Sequence, residues 1–88
     1  MAEGAMGFDA DREKVEDHVA RLNEMFRRRG GVHLQARAIW DDKAGRVWIR
    51  TEMVEDDGTR HRRQESPELT PEQAVGFVQN IMAALKRA

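Results

Sequence analysis

The stretch from Val32 to Val54, VHLQARAIWDDKAGRVWIRTEMV, constrains the fold more than any other part of the chain. It is two alternating runs around one turn. Val32, Leu34, Ala36, Ala38 and Trp40 share one parity of the first run. Val47, Ile49, Thr51 and Met53 share one parity of the second. Period-two alternation predicts strands with one buried face each. Asp42-Lys43-Ala44-Gly45 supplies the turn, with Gly45 able to enter the left-handed region that short hairpin loops use. Pairing Asp41 with Arg46 sets Trp40 opposite Val47, Ala38 opposite Ile49, Ala36 opposite Thr51 and Leu34 opposite Met53. A slip of one residue would turn all of these side chains to the wrong side.

The opposite face then carries Ile39 against Trp48, Arg37 against Arg50, Gln35 against Glu52 and His33 against Val54. Like charges directly across a ladder are mildly destabilising, and a solvated face has no need of a Trp beside an Ile. The pattern predicts a face that meets a partner.

A second hairpin follows. Asp56-Asp57-Gly58-Thr59 contains Asp-Gly, a strong two-residue hairpin signal. It predicts pairing of Asp56 with Thr59 and Val54 with His61. The third strand, Thr59 to Gln64, reads TRHRRQ and has almost no apolar content. It is therefore expected at a sheet edge, where arginines discourage aggregation. This register places His61 and Arg63 on the face of Trp48, Arg37 and Arg50.

Helices flank the sheet. The first is expected from about Ala10 to Arg29, with Asp9 as N-cap and Asp11 and Glu13 in its first turn. Val15, Val19, Leu22 and Phe26 line one stripe, widened by Met25. Asp17–Arg21 and Glu24–Arg28 are outward pairs. Arg27-Arg28-Arg29 followed by Gly30-Gly31 gives a cationic end and a glycine C-cap. The last helix opens with Thr70 as N-cap, Pro71 at the first helical position and Gln73 completing a capping box. Leu69 is placed as a hydrophobic staple against Ala74, and Ala74, Phe77, Val78, Ile81 and Leu85 form the core stripe, broadened by Val75 and Met82. Ser66-Pro67-Glu68 reads as a linker. Residues 1–8 are expected to be a disordered N-terminal segment, in which Gly4-Ala5-Met6-Gly7 resembles a cloning scar, and residues 9–88 a single domain. The predicted fold is a two-layer α+β domain, α-β-β-β-α, a three-stranded antiparallel meander with both helices on one face.

With 88 residues the chain makes one small domain. It has no cysteine, hence no disulfide, thiolate metal site or cysteine nucleophile. No apolar run reaches bilayer length and no signal-peptide pattern is present, so a cytoplasmic protein without a membrane partner is expected. Net charge is −1, but acids dominate residues 1–26 and arginines dominate residues 27–63. His18, His33 and His61 do not stand at metal-ligand spacing. Ser66 lacks a nucleophile-elbow context. Asp41-Asp42 and Asp56-Asp57 sit in turns, where Asp is common. No catalytic residue, metal or cofactor is expected, and the chain reads as a non-enzyme.

The element order is similar to that of the double-stranded RNA-binding domain, also helix, meander, helix. In that family lysines at the start of the last helix grip phosphates. Here that start is Thr70-Pro71-Glu72-Gln73, which is acidic, so the resemblance extends to layout and does not imply the activity.

The functional expectation is a protein-binding module, an adaptor, inhibitor or homodimerising accessory protein. Its binding face comprises Trp48, Ile39, Arg37, Arg50, His61 and Arg63, facing another protein or a second copy. The alternative is nucleic-acid binding, with Trp48 stacking a base and Arg37, Arg50 and Arg63 holding phosphates.

Overall fold

The computed structural model describes residues 2–29 and 33–87, apart from the side chains of residues 2–9. The elements are α1 (Ala2–Arg29), β1 (Leu34–Asp41), β2 (Arg46–Val54), β3 (Arg60–Glu65) and α2 (Pro71–Arg87). The sheet is antiparallel in the order β1-β2-β3, so β2 is central. Val32 and the Gly30-Gly31 C-cap lie outside the described residues.

The first hairpin has the expected register throughout, from Leu34 opposite Met53 to Asp41 opposite Arg46. Val54 continues the ladder by donating its N–H to the His33 carbonyl (2.7 Å). Gly45 takes φ +65° and closes the turn by donating to the Asp41 carbonyl (2.9 Å). The Asp41 carboxylate accepts the N–H groups of Lys43 and Ala44 (3.1 and 3.2 Å), which rigidifies the loop. Parity, turn chemistry and register agree, which leaves no competing pairing.

The second hairpin departs from expectation. Gly58 donates to the Glu55 carbonyl (2.8 Å), Glu55 donates to the Thr59 carbonyl (2.9 Å), and Gly58 has φ +88°. This is a three-residue loop closed by a left-handed glycine, not the expected two-residue turn. The extra loop residue shifts the pairing by one, so Val54 meets Arg60 and Met53 meets His61. Arg62, at φ +56°, then forms a bulge, and Thr51–Gln64 and Arg50–Glu65 return to the expected register. His61 consequently lies on the helix-side face, not beside Trp48. Arg60 takes the place assigned to it.

Both helices cover the face carrying Ala36, Val47 and Ile49. The core joins these to Val15, Val19, Leu22 and Phe26 of α1 and Ala74, Val75 and Val78 of α2. Leu34, Ala38, Trp40, Leu69, Phe77, Ile81, Met82 and Leu85 pack around them, half-buried. The Val15–Phe26 stripe is buried as its spacing requires. In α2 the most buried line runs through Ala74, Val75 and Val78, so Phe77 borders the core instead of centring it.

α1 starts at Ala2, well before Ala10, so Asp9 is not its N-cap and the stretch expected to be disordered falls within the helix. Residues 2–8 contain no proline to block the helix, and Ala2, Glu3, Ala5 and Met6 favour it, against the cost of Gly4 and Gly7. The capping box of α2 forms as expected. Thr70 N–H donates to Gln73 Oε1 (3.0 Å), and Gln73 N–H donates to Thr70 Oγ1 (3.2 Å).

Ser66-Pro67-Glu68 is more than a linker. Ser66 N–H donates to the Ile49 carbonyl (2.9 Å), its Oγ accepts the Ile49 N–H (2.9 Å), and its hydroxyl donates to the Pro67 carbonyl (2.8 Å). Leu69 and Val47 exchange two backbone hydrogen bonds, both 2.9 Å. The chain thus stays laced to β2 until α2 begins.

Candidate functional site

Strand alternation puts Arg46, Trp48, Arg50, Glu52 and Val54 of β2 on the face away from the helices, because Val47 and Ile49 point into the core. Gln35, Arg37 and Ile39 of β1 face the same way, each opposite its expected partner. Arg60 and Arg63 add to this face from β3. No described helix lies over it.

The face divides into an ion-paired end and an apolar end. At the first, Glu52 is 3 % exposed although no described helix lies over it. Arg60 Nη1 lies 3.6 Å and Arg63 Nε 3.9 Å from its carboxylate oxygens, and Arg60 also donates to Gln35 Oε1 (2.6 Å). Two guanidinium groups from the edge strand thus fold over a carboxylate on the central strand. A buried carboxylate is tolerated only with such partners. In the middle, Arg50 donates through Nε to Glu65 Oε1 (2.8 Å), with Nη2 2.6 Å from the same oxygen. This pairing neutralises one of two arginines that oppose each other, and so removes the like-charge conflict of Arg37 and Arg50.

At the apolar end Ile39 and Trp48 are cross-strand partners, both half-buried. Arg37 and Arg46 are exposed on either side of them. Neither guanidinium makes an ion pair or side-chain hydrogen bond among the described residues.

Five of the six expected site residues therefore share one face: Trp48, Ile39, Arg37, Arg50 and Arg63. His61 does not. It lies across the sheet, with Nε2 3.1 Å from Glu55 Oε1. Sequence reasoning missed Arg60, which the three-residue loop brings in, and the burial of Glu52. A signal for Arg60 was present, since Asp-Gly also suits a three-residue loop with glycine last.

The other tryptophan serves the fold. Trp40 Nε1–H donates to Glu16 Oε2 (3.1 Å), and the Arg12 guanidinium sits 4.9 Å from its ring centroid while also pairing with Asp42 (2.8 Å). These contacts fasten α1 to the first hairpin. Among the described residues no group of His, Cys, Asp or Glu could hold a metal ion, and no helix is long and apolar enough to cross a membrane. No protein-family model matches this sequence, and it has no significant match among curated proteins or solved structures.

Proposed function

We propose that this chain is a non-catalytic protein-binding module that engages its partner through the sheet face around Trp48. The observation carrying this reading is the Ile39–Trp48 pair, placed on the central and outer strands of a face that no described helix covers. A tryptophan at such a position is a poor choice for solvent and a good anchor for a partner, where aromatic residues commonly contribute about 2 kcal/mol or more. The ion pairs favour a protein over a nucleic acid. Two of the three arginines that would hold phosphates, Arg50 and Arg63, already face Glu65 and Glu52. A cytoplasmic location remains part of this reading, because a fold without cysteine needs no oxidising compartment.

Trp48→Ala tests it. Chemical denaturation should show a nearly unchanged midpoint, while affinity capture followed by mass spectrometry should show specific partners reduced at least tenfold. Unfolding by this substitution would place Trp48 in the core and end the proposal. Salt-sensitive binding to generic single-stranded RNA or DNA, lost in the same variant, would transfer the face to nucleic acid.

A further inference from the structure

The charges on the uncovered face are not interchangeable, and their pairing defines what can sit there. Glu52 is matched by Arg60 and Arg63, and Glu65 by Arg50. The Asp41 carboxylate accepts two backbone N–H groups of its own turn. The cations left over are Arg37 and Arg46. Arg37 stands one row before the Ile39–Trp48 pair, and Arg46 one row after it on the neighbouring strand. With about 3.4 Å per residue and about 4.8 Å between strands, their Cα atoms are roughly 14 Å apart with the apolar pair between them.

We infer that this surface takes an acidic segment of a different protein, in which an apolar side chain is flanked on both sides by carboxylates. The inference rests on the protein-binding reading and specifies its partner. The apolar residue lies on Ile39 and Trp48, and the flanking carboxylates reach Arg37 and Arg46. Arginine suits this task, since its planar fork accepts a carboxylate in two parallel hydrogen bonds. A second copy is a poorer occupant. Packing two of these faces together would bring the surplus arginines of each against the other. Of the five acids of α1 whose side chains are described, three are engaged within their own chain: Glu16 with Trp40, Asp17 with Arg21, and Glu24 with Arg27 and Arg28. Pairing across the sheet edges is also impeded. Asn23 occupies the backbone of β1 at Ala36, and the Arg62 bulge interrupts β3.

The test uses the full chain and a random-peptide phage library, followed by synthetic 12-residue peptides sharing one apolar residue with glutamate, glutamine or lysine flanks. Selected sequences should carry Asp or Glu on both sides of an aliphatic or aromatic residue. By fluorescence anisotropy the glutamate-flanked peptide should bind at least tenfold more tightly than the lysine-flanked one. Trp48→Ala should weaken that binding at least tenfold. The double variant Arg37→Glu/Arg46→Glu, altered only at exposed positions, should reverse the preference toward lysine flanks. Circular dichroism of each variant checks that the fold persists. Trp48-dependent binding that ignores the flanks would overturn the charge inference and leave the protein-binding reading standing. A dimer by light scattering that is lost in Trp48→Ala would do the same, with a second copy as the occupant. Peptide binding untouched by either variant, or a preference for single-stranded nucleic acid over every peptide, would overturn both.

Discussion

Asn23 on α1 closes the open edge of the sheet at Ala36. Its Nδ2 donates to the Ala36 carbonyl (3.0 Å) and its Oδ1 accepts the Ala36 N–H (2.7 Å), so one side-chain amide stands in for a neighbouring strand. Ala36 is 1 % exposed, which means water cannot easily replace what Asn23 provides. The two bonds also lock the rotation of α1 over β1, consistent with the burial of Val19, Leu22 and Phe26 on the same helix.

Asn23→Ala removes both bonds at once. The orphaned N–H and C=O should cost about 1–3 kcal/mol by urea denaturation. The freed edge should also make the variant associate with rising concentration in light scattering, because an unblocked edge strand is a template for pairing. A variant as stable and as monodisperse as the parent would show that the amide pair contributes nothing.

The first hairpin and the start of α2 could be read from sequence because several local signals agreed there. Trp40, Val47 and Ile49 set the parity, Gly45 set the loop, and Thr70, Pro71 and Gln73 each pointed to the same helix start. The third strand offered no such agreement. Arg60, His61, Arg62 and Arg63 have no apolar alternation, so only the turn could fix their register, and Asp57-Gly58 is compatible with two loop lengths. The two-residue reading of that turn therefore puts His61 on the wrong face and leaves Arg60 out. Asn23 and Ser66 were invisible for another reason. Each bonds to backbone far away in sequence, Ala36 and Ile49 respectively, and such pairings leave no periodic trace. At the candidate site the Ile39–Trp48 pair was legible from alternation alone, whereas the division of arginines into paired and surplus depended on Glu52 and Glu65.

Arg62 holds the bulge at φ +56°, a left-handed conformation costing a non-glycine L-residue about 1–2 kcal/mol. Arg62→Gly should therefore leave stability unchanged or raise it by up to about 1 kcal/mol, the relief of strain being partly offset by the greater freedom of glycine in the unfolded chain. Arg62→Val should destabilise, since a β-branched residue tolerates this region least. Equal midpoints for the two variants would mean that the bulge relaxes without a left-handed residue.

The second turn carries its own pH dependence. Hydrogen bonds from the Thr59 side chain and from its backbone N–H (2.9 Å) hold the Asp57 carboxylate below its ordinary value of 3.8. A depressed folded-state pKa stabilises the fold above the unfolded value and loses that contribution as pH falls through the folded one. Asp57→Ala should thus be less stable than the parent near neutral pH, and the two denaturation midpoints should converge as pH drops below 3.8. A difference that stays constant across this range would assign the effect to turn geometry and not to the charge.

Gly76 sits inside α2, where glycine is costly, yet no close packing requires it. A Cβ built at this position meets nothing within 4 Å. Gly76 is half-buried, whereas Asn80, Ala83 and Arg87, which follow it along the helix, are exposed, and among the described residues no other backbone comes close to it. The core of α2 runs instead through Ala74, Val75 and Val78. Gly76→Ala should then stabilise the domain by about 0.5–1 kcal/mol, from higher helix propensity and a less free unfolded chain. Denaturation and helical circular dichroism should both register the gain. Because the strip belongs to α2, on the other side of the sheet from Trp48, Trp48-dependent peptide binding should be unaffected. A loss of stability on Gly76→Ala would mean that this side of α2 is packed against something, and would make it a second interface.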